Sequence, residues 1–327
     1  MSDRLAGKVA LITGGGSGIG EATARRFAAS GARGVVPGRR AAKLEPVAEA
    51  TGGLAVPGDA GDPDQSARAV AAAVDAFGGL DILVANAAVE YFGSATEVDL
   101  DSWHEMFRVN VDGVLLSARA AIKAMRERGG GAIVVVASVA SLVGPPEYVS
   151  YATTKSALLG MTRSMARDFG PEGIRVNAVC PGWTRSEMVE RAMEELGNRA
   201  GVDLEEAVRR ATMFYPLKRM ADPSEIAGCI EFLASEDASF VTGAVLVYQG
   251  FIIKTALGSP MHPAAPLCFG SVRQAACCWP VASMAVASQP CGYCTITFRI
   301  SPRSPCLIIS LANFAIGNPV YVCIKPN

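Results

Sequence analysis

Short apolar runs alternate with longer amphipathic stretches through the first 250 residues. The compact apolar runs are Val9–Ile12, Val35–Val36, Leu54–Val56, Ile82–Ala85, Ile133–Ala137, Ile174–Val179 and Ala244–Val247. Helical spacing marks Ile19–Ala29, Lys43–Ala50, Ser66–Phe77, Ser102–Met125, Tyr148–Phe169 and Ser224–Ala234. The apolar runs carry no polar alternation, which suits strands covered on both faces. Strand and helix in strict alternation predict right-handed crossovers. The predicted fold is α/β, a doubly wound, parallel, seven-stranded sheet of Rossmann type in a single domain. Thr184–Gly197 and Leu204–Met213 add two helices before the last of those segments.

Composition changes the picture beyond residue 250. The 327 residues carry 30 Lys and Arg against 31 Asp and Glu. All the acids and 25 of the bases lie in residues 1–250, a net charge of −6 there. Residues 251–327 hold no Asp or Glu, yet seven of the nine Cys and nine of the 19 Pro. The reading is therefore two pieces: a domain over 1–250 and an irregular, poorly ordered extension over 251–327, aberrant in origin or covering a neighbouring subunit. Cys291 and Cys294 have no second pair or nearby His, so they are weak as a metal or redox motif. Cys306–Ile324 is apolar, but Asn313, Asn318 and Pro319 count against a spanning helix. The near-neutral charge gives no footprint for nucleic acid or for an anionic membrane. Met1–Gly7 carry charges and no apolar run, which reads as a chain without a secretory signal, hence cytoplasmic.

Thr13 to Gly20 reads Thr-Gly-Gly-Gly-Ser-Gly-Ile-Gly between the first strand and the first helix. Glycines there permit a tight turn and the approach of a pyrophosphate, and the helix start at Ile19 offers free N–H groups and a positive dipole end. Tyr151 and Lys155 are four apart in a helical stretch and share a face. An ammonium beside a phenol stabilises the phenolate, bringing a pKa of about 10 toward neutrality. Tyr151 then exchanges a proton with a carbonyl or alcohol oxygen. Ser138 ends the fifth strand, at the sheet edge where ligands bind, and its hydroxyl can stabilise charge on that oxygen. By itself Ser138 reads more readily as a strand-end turn residue, and Asn110 as a poor helix former on a wet face. With His104 and His262 the only histidines, a Ser-His-Asp triad has little material; no metal site is predicted.

The spacing Thr-Gly-x-x-x-Gly-x-Gly, with Asn110, Ser138, Tyr151 and Lys155 in order, resembles the short-chain dehydrogenase/reductase family. The resemblance covers Thr13 to Ser186 by motif and continues to about Val247. It implies Tyr151 as acid/base, Ser138 as oxyanion partner, Lys155 as pKa tuner and ribose contact, and Asn110 as anchor of a relay water. It implies a nicotinamide dinucleotide held by Thr13, Gly14, Ser17, Gly18, Ile19, Gly20, Arg39, Asp59, Asn86, Pro181, Gly182 and Ser186, besides Tyr151 and Lys155. Ala85-Asn86-Ala87-Ala88 departs from the family's Asn-Asn-Ala-Gly. Residues 184–222 correspond to the family's substrate lid, with Trp183, Met188, Met193, Met213, Phe214 and Tyr215 as apolar lining and Tyr91 and Phe92 opposite. Gly38 stands where a ribose-binding acid would be, followed by Arg39 and Arg40, which favours NADP(H) and leaves NAD(H) open. The expected activity is hydride transfer between a small apolar ketone or carbonyl and a secondary alcohol, in a homo-oligomer, tetramer or dimer. The rival readings are a non-catalytic dinucleotide-binding regulator and an enzyme impaired by its carboxyl end.

Overall fold

In a computed structural model, residues 3–213 and 215–248 are described, together with the backbone of 294–300, 307–313 and 320–324. Seven strands are β1 (Val9–Ile12), β2 (Arg33–Gly38), β3 (Leu54–Pro57), β4 (Ile82–Ala85), β5 (Gly131–Val136), β6 (Ile174–Pro181) and β7 (Val245–Tyr248). They pair in parallel in the order β3-β2-β1-β4-β5-β6-β7. The order reverses between β1 and β4, which opens a crevice at the carboxyl ends of those strands.

The helices are α1 (Gly18–Ala29), α2 (Ala41–Thr51), α3 (Pro63–Phe77), α4 (Leu100–Phe107), α5 (Gly113–Glu127), α6 (Ala140–Val143), α7 (Val149–Phe169), α8 (Glu187–Ala200), α9 (Leu204–Thr212) and α10 (Pro223–Ala234). Alternate strand residues feed two cores. Val9, Leu11, Leu83, Ile133 and Val176 pack with α3, α5 and α7. Ala10, Ile12, Val84, Val134 and Val179 pack with α1, α2 and α10. This two-sided burial is why the strands are apolar throughout. Asp62 accepts from the Asp64 and Gln65 N–H groups and caps α3 as its sequence position suggests.

One segment departs from its sequence pattern. Ser102–Met125 has the spacing of one helix, but a π-helical turn at Arg108–Asp112 divides it into α4 and α5. The turn holds Asn110 with no solvent exposure, so the wet-face reading of that residue fails. Wider turns of this kind gather at functional sites because they turn out main-chain and side-chain groups that a regular helix hides.

The chain divides into two units, Met1–Leu257 and Gly258–Asn327. Within the second, β8 (Cys294–Ile300), β9 (Leu307–Asn313) and β10 (Val320–Ile324) form an antiparallel three-stranded sheet in the order β10-β9-β8. Cys291, His262 and Phe214 lie outside the described residues. Among the described residues no helix is long and apolar enough to cross a membrane.

Candidate active site

The glycine turn between β1 and α1 is dictated by crowding. Gly14 and Gly18 adopt φ of +67° and +56°, the left-handed region where glycine is favoured. A Cβ on Gly20 would strike the Gly14 carbonyl, and one on Gly15 would lie 2.7 Å from Val36 Cγ1. Ser17 precedes α1 in extended backbone and its hydroxyl does not cap the helix. The first N–H groups of α1 are therefore left for a ligand, and the bare turn is a cradle that fits a pyrophosphate.

Thr13 and Asn86 join the turn to the loop after β4. Thr13 Oγ1 accepts from the N–H groups of Asn86 and Ala87 at 2.9 and 3.0 Å. Asn86 Nδ2 donates to the Thr13 carbonyl at 2.9 Å. These two side chains shape the cradle from beneath. Ala88 is not in the left-handed region, so the glycine usual in the family is not required there. Asp59 follows β3 and accepts from Arg108 Nη2 at 2.8 Å and from the Gly61 N–H at 2.9 Å. The Arg108 hydrogen bond leads the effects that hold its carboxyl below the usual range.

Cations gather where β2 ends. Gly38 is the last residue of β2, and Arg39 lies 3.8 Å from Glu105. Arg40 donates to Ser17 Oγ at 3.0 Å and to Glu187 at 2.8 Å, and Lys43 donates to Glu187 at 2.7 Å. Lys43 and Arg40 hold the Glu187 carboxyl far down, at about 2. Glu187 opens α8, directly after Ser186, whose hydroxyl caps Val189 at 3.2 Å. A Cβ on Gly18 would come within 3.2 Å of Ser186 Cβ. The start of the predicted lid thus sits on the glycine turn. Pro181 closes β6, and its carbonyl accepts from the Val139 N–H at 3.0 Å, beside Ser138. Gly182 donates to the Tyr248 carbonyl at 3.0 Å.

Ser138, Tyr151 and Lys155 come together at the carboxyl edge of β5. Ser138 is a hydrogen-bond partner of the Tyr151 phenol, and its Oγ accepts from the Ala140 N–H at 3.1 Å. Lys155 is buried; its Nζ donates to the Val136 carbonyl at 2.8 Å and lies 5.8 Å from the Tyr151 ring centre. The electrostatics differ from the expectation of an ammonium-acidified phenol. Burial, then the Glu90 carboxyl, pushes Tyr151 upward, and Lys155 itself is pushed down to about 8 by burial. The Lys155 ammonium is turned to the Val136 carbonyl. The phenol is thus a protonated donor at neutral pH.

Asn110 is held by three hydrogen bonds to the protein. Its Oδ1 accepts from the Val89 N–H at 2.8 Å, and its Nδ2 donates to the Val89 carbonyl at 2.9 Å and to Thr154 Oγ1 at 3.2 Å. Its side chain joins the loop after β4 to α7. Of the expected apolar lining, Phe92 and Trp183 pack with Tyr148 and Tyr151. Met193 is core, while Tyr91 and Met213 are exposed. Tyr215 Oη accepts from the Trp183 N–H at 3.3 Å.

Glu90 is the residue missed by sequence reasoning. It stands four positions beyond Asn86 on the site-facing loop, and that placement was the available signal. Burial raises its carboxyl to about 7; the Tyr148 hydroxyl, Lys155 and Arg191 oppose the shift. Among the described residues no group of acids, Cys and His is placed to hold a metal ion.

A doubly wound sheet with a glycine cradle at its switch point and a Ser-Tyr-Lys set beside it defines a dinucleotide-dependent oxidoreductase class. A family model described as "Enoyl-(Acyl carrier protein) reductase" matches residues 14–250. Dehydrogenase/reductase SDR family member 4 of Homo sapiens is 38% identical over 259 residues, 76% of this chain and 88% of that protein. Glucose 1-dehydrogenase of Gluconobacter oxydans is 37% identical over 255 residues, 76% and 92% of the two chains. L-Sorbose reductase from Gluconobacter frateurii, solved with NADPH and L-sorbose, superposes with a TM-score of 0.73 at 32% identity, covering 78% of this chain and all of that one. The chain belongs to the short-chain dehydrogenase/reductase family and is an oxidoreductase of the NAD(P)-dependent kind acting on CH–OH groups.

Proposed function

We propose that the chain interconverts a ketone or other carbonyl and a secondary alcohol, with Tyr151 as the proton-transferring group and NADP(H) as the preferred dinucleotide. The observation that carries this reading is the meeting of Ser138, Tyr151 and Lys155 beside the glycine cradle. A bound nicotinamide supplies or takes up the hydride. The protein's residues do the remainder. Ser138 Oγ holds the reacting oxygen, and the buried Tyr151 Oη gives it a proton in reduction or removes one in oxidation. Lys155 supplies positive charge beneath the phenol, where it stabilises the phenolate left after proton donation. Thr13, Gly14, Ser17, Gly18, Ile19, Gly20, Asn86, Pro181, Gly182 and Ser186 form the cofactor cradle, with Asp59 and Arg39 at its adenosine end. Arg39, Arg40 and Lys43 give that end the charge a 2′-phosphate needs. Aromatic walls from Phe92 and Trp183 suit a small, largely apolar substrate body, and a homo-oligomer is the expected assembly.

The test is Tyr151→Phe, assayed by nicotinamide absorbance over a panel of ketones and alcohols. Turnover is expected to fall by about 10²–10⁴-fold. Cofactor affinity, read by fluorescence titration, should stay within a few-fold of wild type. Near-normal turnover in the variant would overturn the assignment.

A further inference from the structure

We propose that the cavity beside Trp183, at the carboxyl ends of β6 and β7, is a subsite for an uncharged aryl or alkyl tail of the substrate. The substrate class is then ketones and secondary alcohols that carry such a tail, with the small apolar body as the reacting head. This rests on the proposed function and deepens it.

Trp183 stands two residues past the end of β6, and its backbone is pinned on both sides. Its N–H donates to Tyr215 Oη at 3.3 Å, and its carbonyl accepts from the Ala221 N–H at 2.9 Å. The Gly182 N–H donates to the Tyr248 carbonyl at 3.0 Å, which ties β7 to the same point. The Trp183 ring stands 6.4 Å from the Tyr148 ring, which stands 5.9 Å from that of Tyr151. Trp183 and Tyr151 pack against the same small cluster of Ala140, Tyr148 and Ala152. Trp183 also lines a cavity of about 270 Å³ with Tyr215, Leu217, Ala221, Val247 and Tyr248. One residue therefore belongs both to the wall beside the reacting phenol and to the cavity.

Size and charge choose the ligand chemistry. A cavity of roughly 150 Å³ already admits benzene, so this one has room for a ring and part of its spacer. Leu217, Val247 and Tyr248 are 64%, 42% and 40% exposed, an apolar surface open to solvent around the cavity. Contiguous apolar surface of that kind marks a binding face. The charged residues of the lining are matched to each other: Arg219 Nη1 and Nη2 donate to the two Glu225 carboxylate oxygens at 2.7 and 2.8 Å. A charged tail would have to compete with that two-point pair. An aryl or alkyl tail instead gains by covering Leu217, Val247 and the aromatic rings. Continuity through Trp183 selects the substrate's own tail as the occupant, because a molecule whose carbonyl sits on Ser138 and Tyr151 extends along that residue.

The test uses NADPH and the full chain, and compares 2-butanone with 4-phenyl-2-butanone and 2-hexanone with 6-phenyl-2-hexanone, which samples two spacer lengths. In wild type, kcat/KM should favour the phenyl ketone by roughly 10- to 50-fold for at least one spacer, the gain from burying much of one ring. Leu217→Asp should bring that ratio to within a few-fold of one. Val247→Asp should lower it in the same direction; both side chains are largely solvent-facing, which guards against misfolding. In parallel, calorimetry of the matching alcohols on the NADPH-loaded protein should show tighter binding of the phenyl alcohol, lost in Leu217→Asp. Wild-type ratios near one alongside turnover of all four ketones overturn the subsite and leave the proposed function standing. Leu217-dependent binding of the phenyl alcohol without turnover of any ketone keeps the subsite and overturns the proposed function. A phenyl preference unmoved by both variants overturns the subsite. So does a change of oligomeric state in the variants, read by light scattering, which would give the cavity to a neighbouring subunit.

Discussion

Tyr151 and Lys155 respond to the same burial in opposite senses, because burial disfavours whichever form is charged. Lys155 is 2% exposed and falls from 10.5 to about 8. The folded chain thus binds fewer protons than the unfolded chain between about pH 8 and 10.5. The stability contribution is fully present above 10.5 and is lost as pH falls through about 8, on the order of 1–3 kcal/mol. Lys155→Met removes this dependence. The melting-temperature difference, variant minus wild type, should therefore be more positive at pH 7 than at pH 10.5, while turnover is lost. Equal differences at the two pH values would show that the ammonium is not the strained group. Ser138, Tyr151 and Lys155 were legible as a chain-local pattern: a strand end, then a helix face with a four-residue step. Glu90 was not, because what singles it out is the packing of Tyr148 and Val89 around it, which no local periodicity encodes.

Among the elements, α8 and the end of β2 share one charge balance. Glu187 of α8 lies on Arg40 and Lys43, the cations that the proposed function gives to a 2′-phosphate. All three side chains are about half exposed, so water and salt weaken the contact. Glu187→Gln frees the cations and should tighten NADPH binding about 3- to 10-fold at low salt. NADH affinity should change little, and the gain should shrink in 0.5 M salt. Fluorescence titration measures this; weaker NADPH binding would mean that Glu187 positions the cations instead of competing for them. The complementary change is Gly38→Asp with Arg39→Gln. The new Cβ at Gly38 would sit 3.3 Å from Leu44 Cδ2, a contact the leucine relieves by a small shift. The NADP/NAD ratio of kcat/KM should fall by about 10-fold or more, and an unchanged ratio would remove Gly38 and Arg39 from cofactor choice. The order of strands and helices was legible because two-sided burial makes each strand apolar throughout. The division of Ser102–Met125 was not. The turn holds Asn110, whose contacts are with Val89 and Thr154 on other elements, and local spacing does not encode such contacts.

At the scale of the whole molecule, the sharp change in composition near residue 250 and the division into two units fall within a few residues of each other. Every strand of the seven-stranded sheet, both cores and every candidate site residue belong to the unit Met1–Leu257. β7 is one of the two edge strands and pairs with β6 from Ala178↔Val245 to Pro181↔Tyr248. The second unit, by contrast, offers a three-stranded antiparallel sheet whose strands total 19 residues. Sheets of that size are marginal without a buried apolar face. The sequence does not separate an aberrant extension from one that covers a neighbouring subunit, because both leave the same Pro- and Cys-rich composition. Shortening the chain separates them. A chain ending at Leu257 should unfold in one cooperative transition within a few degrees of the full chain, and its NADPH affinity and kcat/KM should stay within about two-fold of the full chain's, because the whole seven-stranded sheet and both its cores lie within Met1–Leu257. Its oligomeric state, read by light scattering, should also be unchanged. A drop in melting temperature together with loss of assembly would instead assign residues 258–327 to the subunit interface.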